Sequence, residues 1–259
     1  MNFSNLSKKC FDQWLEFIKT NLSGWRLLDR ESTVMIFTSL IVGIGAGLGA
    51  VFFRRLIDWI QDFSYRDMSG LLAEWYPLHL ILIPAVGGAI VGPLVYYFAR
   101  EAKGHGVPEV MEALELRGGK IRPRVIVVKS LASSVCIASG GSVGREGPIA
   151  QIGSALGSFV GQFLKLSEER VRTLVACGAA GGIAATFNAP IAGAVFALEV
   201  LLRRFGSVYF GVVVISAVTA DVIAHYFEGD KRTFFTPEYS LNSPWELLLY
   251  AMLGFIAAL

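Results

Sequence analysis

Two stretches of 21 residues, Thr33 to Phe53 and Leu78 to Phe98, contain no Asp, Glu, Lys or Arg. At about 1.5 Å of rise per residue, each is long enough as a helix to cross a hydrocarbon core of about 30 Å. That requirement restricts the chain to a membrane fold before anything else is read. Composition agrees: 54% of residues are apolar and 17% charged, where soluble domains carry about 25% charged residues. The net charge of +2 is too small to recommend a nucleic-acid partner, and the bilayer is the partner implied.

Placement of the basic residues predicts orientation. Lys8, Lys9, Lys19, Arg26 and Arg30 precede the first span, and Arg100, Lys103, Arg117, Lys120, Arg122 and Arg124 follow the second. The loop between them mixes Arg54, Arg55 and Arg66 with Asp58, Asp62, Asp67 and Glu74. Both basic segments are expected in the cytoplasm, with Arg54 and Arg55 snorkelling at the outer interface. No secretory signal pattern precedes residue 33. Phe11, Trp14, Leu15, Ile18 and Leu22 recur at helical spacing instead, so residues 3–23 are expected as an amphipathic helix on the membrane surface. Cys10, Cys136 and Cys177 are odd in number and far apart, which suits packing and argues against a disulfide framework or metal site.

Beyond the second span the apolar pattern breaks into segments near 125–138, 147–164, 171–186, 190–204 and 208–227, divided by glycines, prolines and single polar residues. Broken helices at membrane depth are tolerated where their ends are buried in protein or line a cavity. The chain is therefore expected to be all-α, polytopic, with tilted and broken helices. Gly43, Gly45, Gly47 and Gly49, and again Gly153, Gly157 and Gly161, are small-residue repeats read as close helix crossings.

Chemistry concentrates in the breaks. The run Gly140-Gly141-Ser142-Val143-Gly144-Arg145-Glu146-Gly147-Pro148 sets a charged pair among glycines, and no charge follows from Ile149 to Leu164. Pro148 suits a first helical turn, and the helix would aim free N–H groups and its positive dipole end at the turn, which favours an anion. Gly104-His105-Gly106-Val107-Pro108-Glu109-Val110 repeats that design. A third break, Phe187-Asn188-Ala189-Pro190, divides two small-residue helices; Asn188 can satisfy exposed backbone groups and Pro190 restarts the helix. Farther along lies Glu199, costly if buried alone, for which Arg203 or Arg204 is the expected partner.

Taken together, these residues resemble the CLC family of chloride channels and chloride/proton exchangers. Gly104 to Pro108 is similar to the family's first anion signature, Gly144 to Pro148 matches the second, Phe187 to Gly193 is similar to its Phe-Asn-Ala-Pro segment, and Lys129 resembles a basic residue kept before the second signature. The resemblance runs in order from about residue 30 to 227. It implies a fold of two inverted repeats, of which this chain holds the first, in a homodimer with one anion pathway per subunit. It also implies a multi-pass protein of a bacterial-type inner membrane, moving chloride or a similar anion without a cofactor. Carried over, His105, Gly106, Gly144, Arg145, Glu146 and Gly147 line the anion site, with Glu146 as the gate; Arg145 is expected to act through local potential or as an anchor. Lys129, Asn188, Glu199 and Val200 are structural or pathway candidates.

Three departures shape the expectations. His105 stands where well-known members carry a chloride-binding serine, which leaves nitrate and fluoride open beside chloride. Val200 stands where exchangers often carry a proton-relaying glutamate, which leans towards passive or loosely coupled conduction. The chain stops at Leu259 inside the apolar run from Trp245, as expected of a piece of a longer protein. The organisation expected is a cytoplasmic amphipathic segment at 1–30, a membrane repeat at 31–240 and the start of a second repeat at 241–259; a non-transporting fragment or assembly partner is the alternative. A membrane enzyme is not expected: there is no His-Glu-x-x-His pattern, and His79, His105 and His225 lack metal-ligand spacing.

Overall fold

The structure is a computed structural model that describes residues 30–67, 78–203, 207–229 and 243–258. The surface helix expected at residues 3–23 and the side chain of Arg204 lie outside the described residues. Every regular element among the described residues is helical. Helix α1 (Arg30–Asp62) winds on into a π turn at Phe63–Asp67, and α2 (His79–Phe98) continues through Pro84 and Pro93. A 3-10 turn at Arg100–Ala102 leads to the short α3 (Val107–Leu116) and to α4 (Arg124–Ala138). Then follow α5 (Glu146–Phe163), α6 (Glu168–Phe187), α7 (Pro190–Phe196, running into a π turn at Ala197–Leu202), α8 (Ser207–Glu228) and α9 (Glu246–Ala257). Three stretches are long and apolar enough to cross a membrane: Ser32–Arg66, His79–Phe98 and Phe210–Glu228.

The distribution of side-chain size follows from a lipid solvent. Large apolar groups such as Phe37, Phe52, Trp59 and Ile81 face outward, while Ala, Gly and Ser dominate the interfaces of α1, α5, α6 and α8. Hydrocarbon offers no hydrophobic drive between helices, so contact area comes from backbones packed closely across small residues. The α5/α6 crossing is the tightest: a Cβ at Gly153 would strike the Gly178 carbonyl, one at Gly178 the Gly153 carbonyl, and one at Gly157 the Leu174 carbonyl. In α1 the repeat divides by face. Gly43 and Gly47 lie against the backbone of α8 at Ser216 and Ala220, whereas Gly45 has nothing near its Cα.

Polar bonds tie the loops to the helix ends. At one end Ser158 Oγ donates to the Gly119 carbonyl (2.6 Å) and accepts from the Ile121 N–H (2.8 Å), and Gln162 Nε2 donates to the Ile121 carbonyl (2.9 Å). At the other, Tyr65 Oη donates to the Ser139 carbonyl (2.9 Å). Loops at both ends of the bundle are thereby held to the helices.

Candidate anion site

Helix α5 begins at Glu146, with Arg145 as its N-cap and Pro148 buried in the first turn. Ile149 makes the first helical bond, its N–H donating to the Arg145 carbonyl (3.1 Å). Among the described residues, the N–H groups of Gly144, Arg145, Glu146 and Gly147 donate to no protein acceptor. This is the donor cluster that a helix start leaves open, at the positive end of the peptide dipoles. The Glu146 side chain turns back towards the start of the cluster: a Cβ at Gly144 would land on the Glu146 carboxylate.

The first glycine turn is seated directly against the second. Gly106, at φ +103°, packs so closely on the Gly147 carbonyl that it has no space for a Cβ, and Gly147 in turn abuts the His105 carbonyl. Both positions demand glycine, Gly106 for its backbone angle as well. One expectation needs correcting here. The Gly106 N–H is not open to an anion, because it donates to Glu109 Oε2 (2.7 Å) in the capping box of α3. Glu109 stands three residues on, where a capping glutamate belongs, and so competes with any outside anion for that donor. Gly106 therefore serves the site by close packing.

Beside the seam of the two turns opens a cavity of about 1000 Å³, lined by His105, Lys103, Arg100, Lys129, Gly144 and Glu146 among others. Three cations and one carboxylate give it an anion-attracting balance. His105 is exposed at its wall. Lys129 is 3% exposed, and its Nζ donates to the carbonyls of Ala102 (3.0 Å) and Gly104 (2.8 Å), holding the first turn from below. Replacing Lys129 with methionine removes two charge-assisted bonds from a buried site, and should cost about 3 kcal/mol of stability. Thermal unfolding in detergent measures it, and an unchanged midpoint would show that the carbonyls find other donors.

The remaining residues sit apart from the cavity. Arg145 is not in its lining; its guanidinium lies 5.9 Å from the centroid of the Phe187 ring, an anchoring contact. Asn188 adopts the left-handed conformation (φ 55°, ψ 44°) that ends α6, which asparagine tolerates better than most residues. Glu199 is exposed, so no burial cost falls on it, and among the described residues no ion pair engages it; the partner expected at Arg204 lies outside them. Val200 is half-buried beside it in the π turn. Sequence reasoning missed Lys103 and Arg100 as cavity residues, having counted them only as topology signals. It also missed the partner of Arg54, whose guanidinium pairs with Glu228.

The family described as voltage gated chloride channel matches residues 87–259. A ClcB-like protein of Ralstonia nicotianae is 34% identical over 234 residues, covering 87% of this chain and 54% of that protein. The H(+)/Cl(-) exchange transporter ClcA of Vibrio cholerae is 34% identical over 235 residues, covering 87% and 49%. Thus the chain spans about half the length of these relatives. Two solved structures share its fold at 26% identity: a slow cyanobacterial Cl-/H+ antiporter (TM-score 0.73, covering 86% of this chain and 53% of that one) and a CLC-type fluoride/proton antiporter (TM-score 0.72, covering 88% and 55%). With a helical membrane repeat, two glycine turns joined at a helix mouth and a family match across both turns, this chain belongs to the voltage gated chloride channel, or CLC, family.

Proposed function

We propose that this chain forms one wall of an anion pathway, with chloride as the cargo and Glu146 as the gate. The observation that carries the reading is the Glu146 carboxylate turned back against Gly144, beside the open N–H groups of Gly144 to Gly147 and in a cavity whose other charged groups are cations. An ionised carboxylate satisfies those donors as an anion would, so the two compete; a protonated one loses most of that attraction and yields the place. Occupancy by chloride and protonation of Glu146 thereby favour each other.

Supporting a membrane orientation with Arg54 and Glu228 outside are the basic loops at residues 100–124, which gather at the opposite end of the helices. Pairing of two such chains, with one pathway each, belongs to the same proposal, as does a second repeat supplying the facing wall. Val200 carries no titratable group, so its own side chain relays no proton, and any proton route past it runs through water. The decisive experiment measures chloride and proton flux together in liposomes holding the full-length protein. A fixed ratio identifies an exchanger, chloride flux without protons a channel, and absence of both removes the transport reading.

His105 sets the anion preference in this scheme. Its imidazole can donate where a serine would offer a smaller hydroxyl, and a difference of one hydrogen bond is worth about 1 kcal/mol. His105→Ser should accordingly change the relative competition of nitrate and fluoride against chloride by about fivefold. Identical competition in both proteins would make the side chain a bystander.

A further inference from the structure

A second group of charges lies at the end of the molecule nearest Arg145 and has no part in the cavity. Arg54, midway along the outer half of α1, pairs through Nη1 with Glu228 on the last turn of α8, while its Nη2 donates to the Thr186 carbonyl (2.8 Å) on the last turn of α6. These side chains are 21% and 12% exposed, well withdrawn from solvent. One guanidinium therefore joins three helices whose contact partners stand 132 and 174 residues away in sequence. Its fork geometry suits two acceptors at once, and a cation at the last carbonyls of α6 complements the negative end of that helix.

The path from this clasp to the gate is short. Thr186 precedes Phe187; the Phe187 ring carries the Arg145 guanidinium; Arg145 caps α5 immediately before Glu146. Charge acts along the same path. Arg54 repels Arg145 across the gap, and Glu228 on Arg54 offsets that repulsion. Asp58 on α1 and Asp221 and His225 on α8 complete the charged groups around the clasp. Around Glu146 itself stand Arg145, Lys129, Lys103, Arg100 and His105.

We propose that Arg54 and Glu228 are positioning residues of the gate: their pairing holds the end of α6 beneath Arg145 and sets the pH at which Glu146 yields to the anion. This rests on Glu146 being the gate. The sign is fixed by charge. Without Arg54, the clasp retains Glu228 but not its guanidinium, the mouth becomes less positive, the ionised Glu146 is disfavoured, and flux rises at a higher pH. Without the Glu228 carboxylate, Arg54 acts at full strength, the ionised form is favoured, and flux requires a lower pH.

The experiment reads the pH of half-maximal chloride flux in liposomes containing the full-length protein. Arg54→Gln should move it up and Glu228→Gln down, each by about half a unit to one unit, while Arg54→Lys, which keeps the charge, stays near the wild type. Loss of stability alone would lower flux in both neutral variants without moving their midpoints apart. Midpoints equal to the wild type, or displaced in the same direction, overturn the clasp if Glu146→Gln in the same preparation removes pH dependence. If pH dependence survives Glu146→Gln, the gate reading falls and the clasp falls with it.

Discussion

Glu146→Gln in the full-length protein is expected to give anion flux that has lost the wild type's activation by acid, because the group that takes up the proton is gone. The amide is the same size as the carboxylate and still reaches the turn at Gly144, yet it carries no charge to compete with chloride for the N–H groups of Gly144 to Gly147. Flux should therefore sit near the level that the wild type attains in acid, with any coupled proton movement gone. Glu146→Ala should behave alike, since neither variant can present an ionised oxygen to the helix mouth. A normal pH profile in both variants, with normal flux, would remove Glu146 from the gate. The expected change is large because, in the proposed gate, one group both blocks the path and responds to protons.

Gly153→Val is expected to abolish the fold of the repeat. Its Cβ would meet the Gly178 carbonyl and the following peptide, and backbone atoms in the middle of a packed helix cannot turn aside as a side-chain tip can. Overpacking of a core ordinarily costs about 1–3 kcal/mol, and a clash against backbone at the centre of the α5/α6 crossing should exceed that range. Yield from the membrane and the unfolding midpoint in detergent report the loss. Gly45→Ala is the matched control: it lies in a glycine repeat of the same appearance, but has nothing within 4 Å of the added atom, so it should fold like the wild type. Equal stability of Gly153→Val and the wild type would mean that α5 and α6 do not cross where they are placed.

These two glycines show how far sequence carries. The segment boundaries were legible: breaks expected before 147, after 186 and at 190 appear as α5 from Glu146, α6 to Phe187 and α7 from Pro190. Glycine, proline and asparagine mark those positions because each has a backbone requirement that other residues meet poorly. Which glycine faces a neighbour was not legible, since the α1 repeat reads the same at 43, 45, 47 and 49 and only the tertiary contact separates them. The site was legible as a pair of turns for the same local reason. The clasp outside the cavity was hidden by distance along the chain: Arg54 finds Glu228 from 174 residues away, and no local pattern announces it. The use of the Gly106 N–H by Glu109 lies in a recognisable capping pattern, and attention to that spacing would have found it.

The meeting of Gly147 with the His105 carbonyl also limits how a protein carrying this repeat can work. Because no atom fits between the two turns, neither can slide against the other without breaking the packing that seats both. The helix mouth is thus a fixed valve seat, machined to the thickness of a peptide bond. On the gate proposed above, opening is left to the one jointed part beside it, a side chain with three rotatable bonds, and throughput would be governed by how often that stopper lifts.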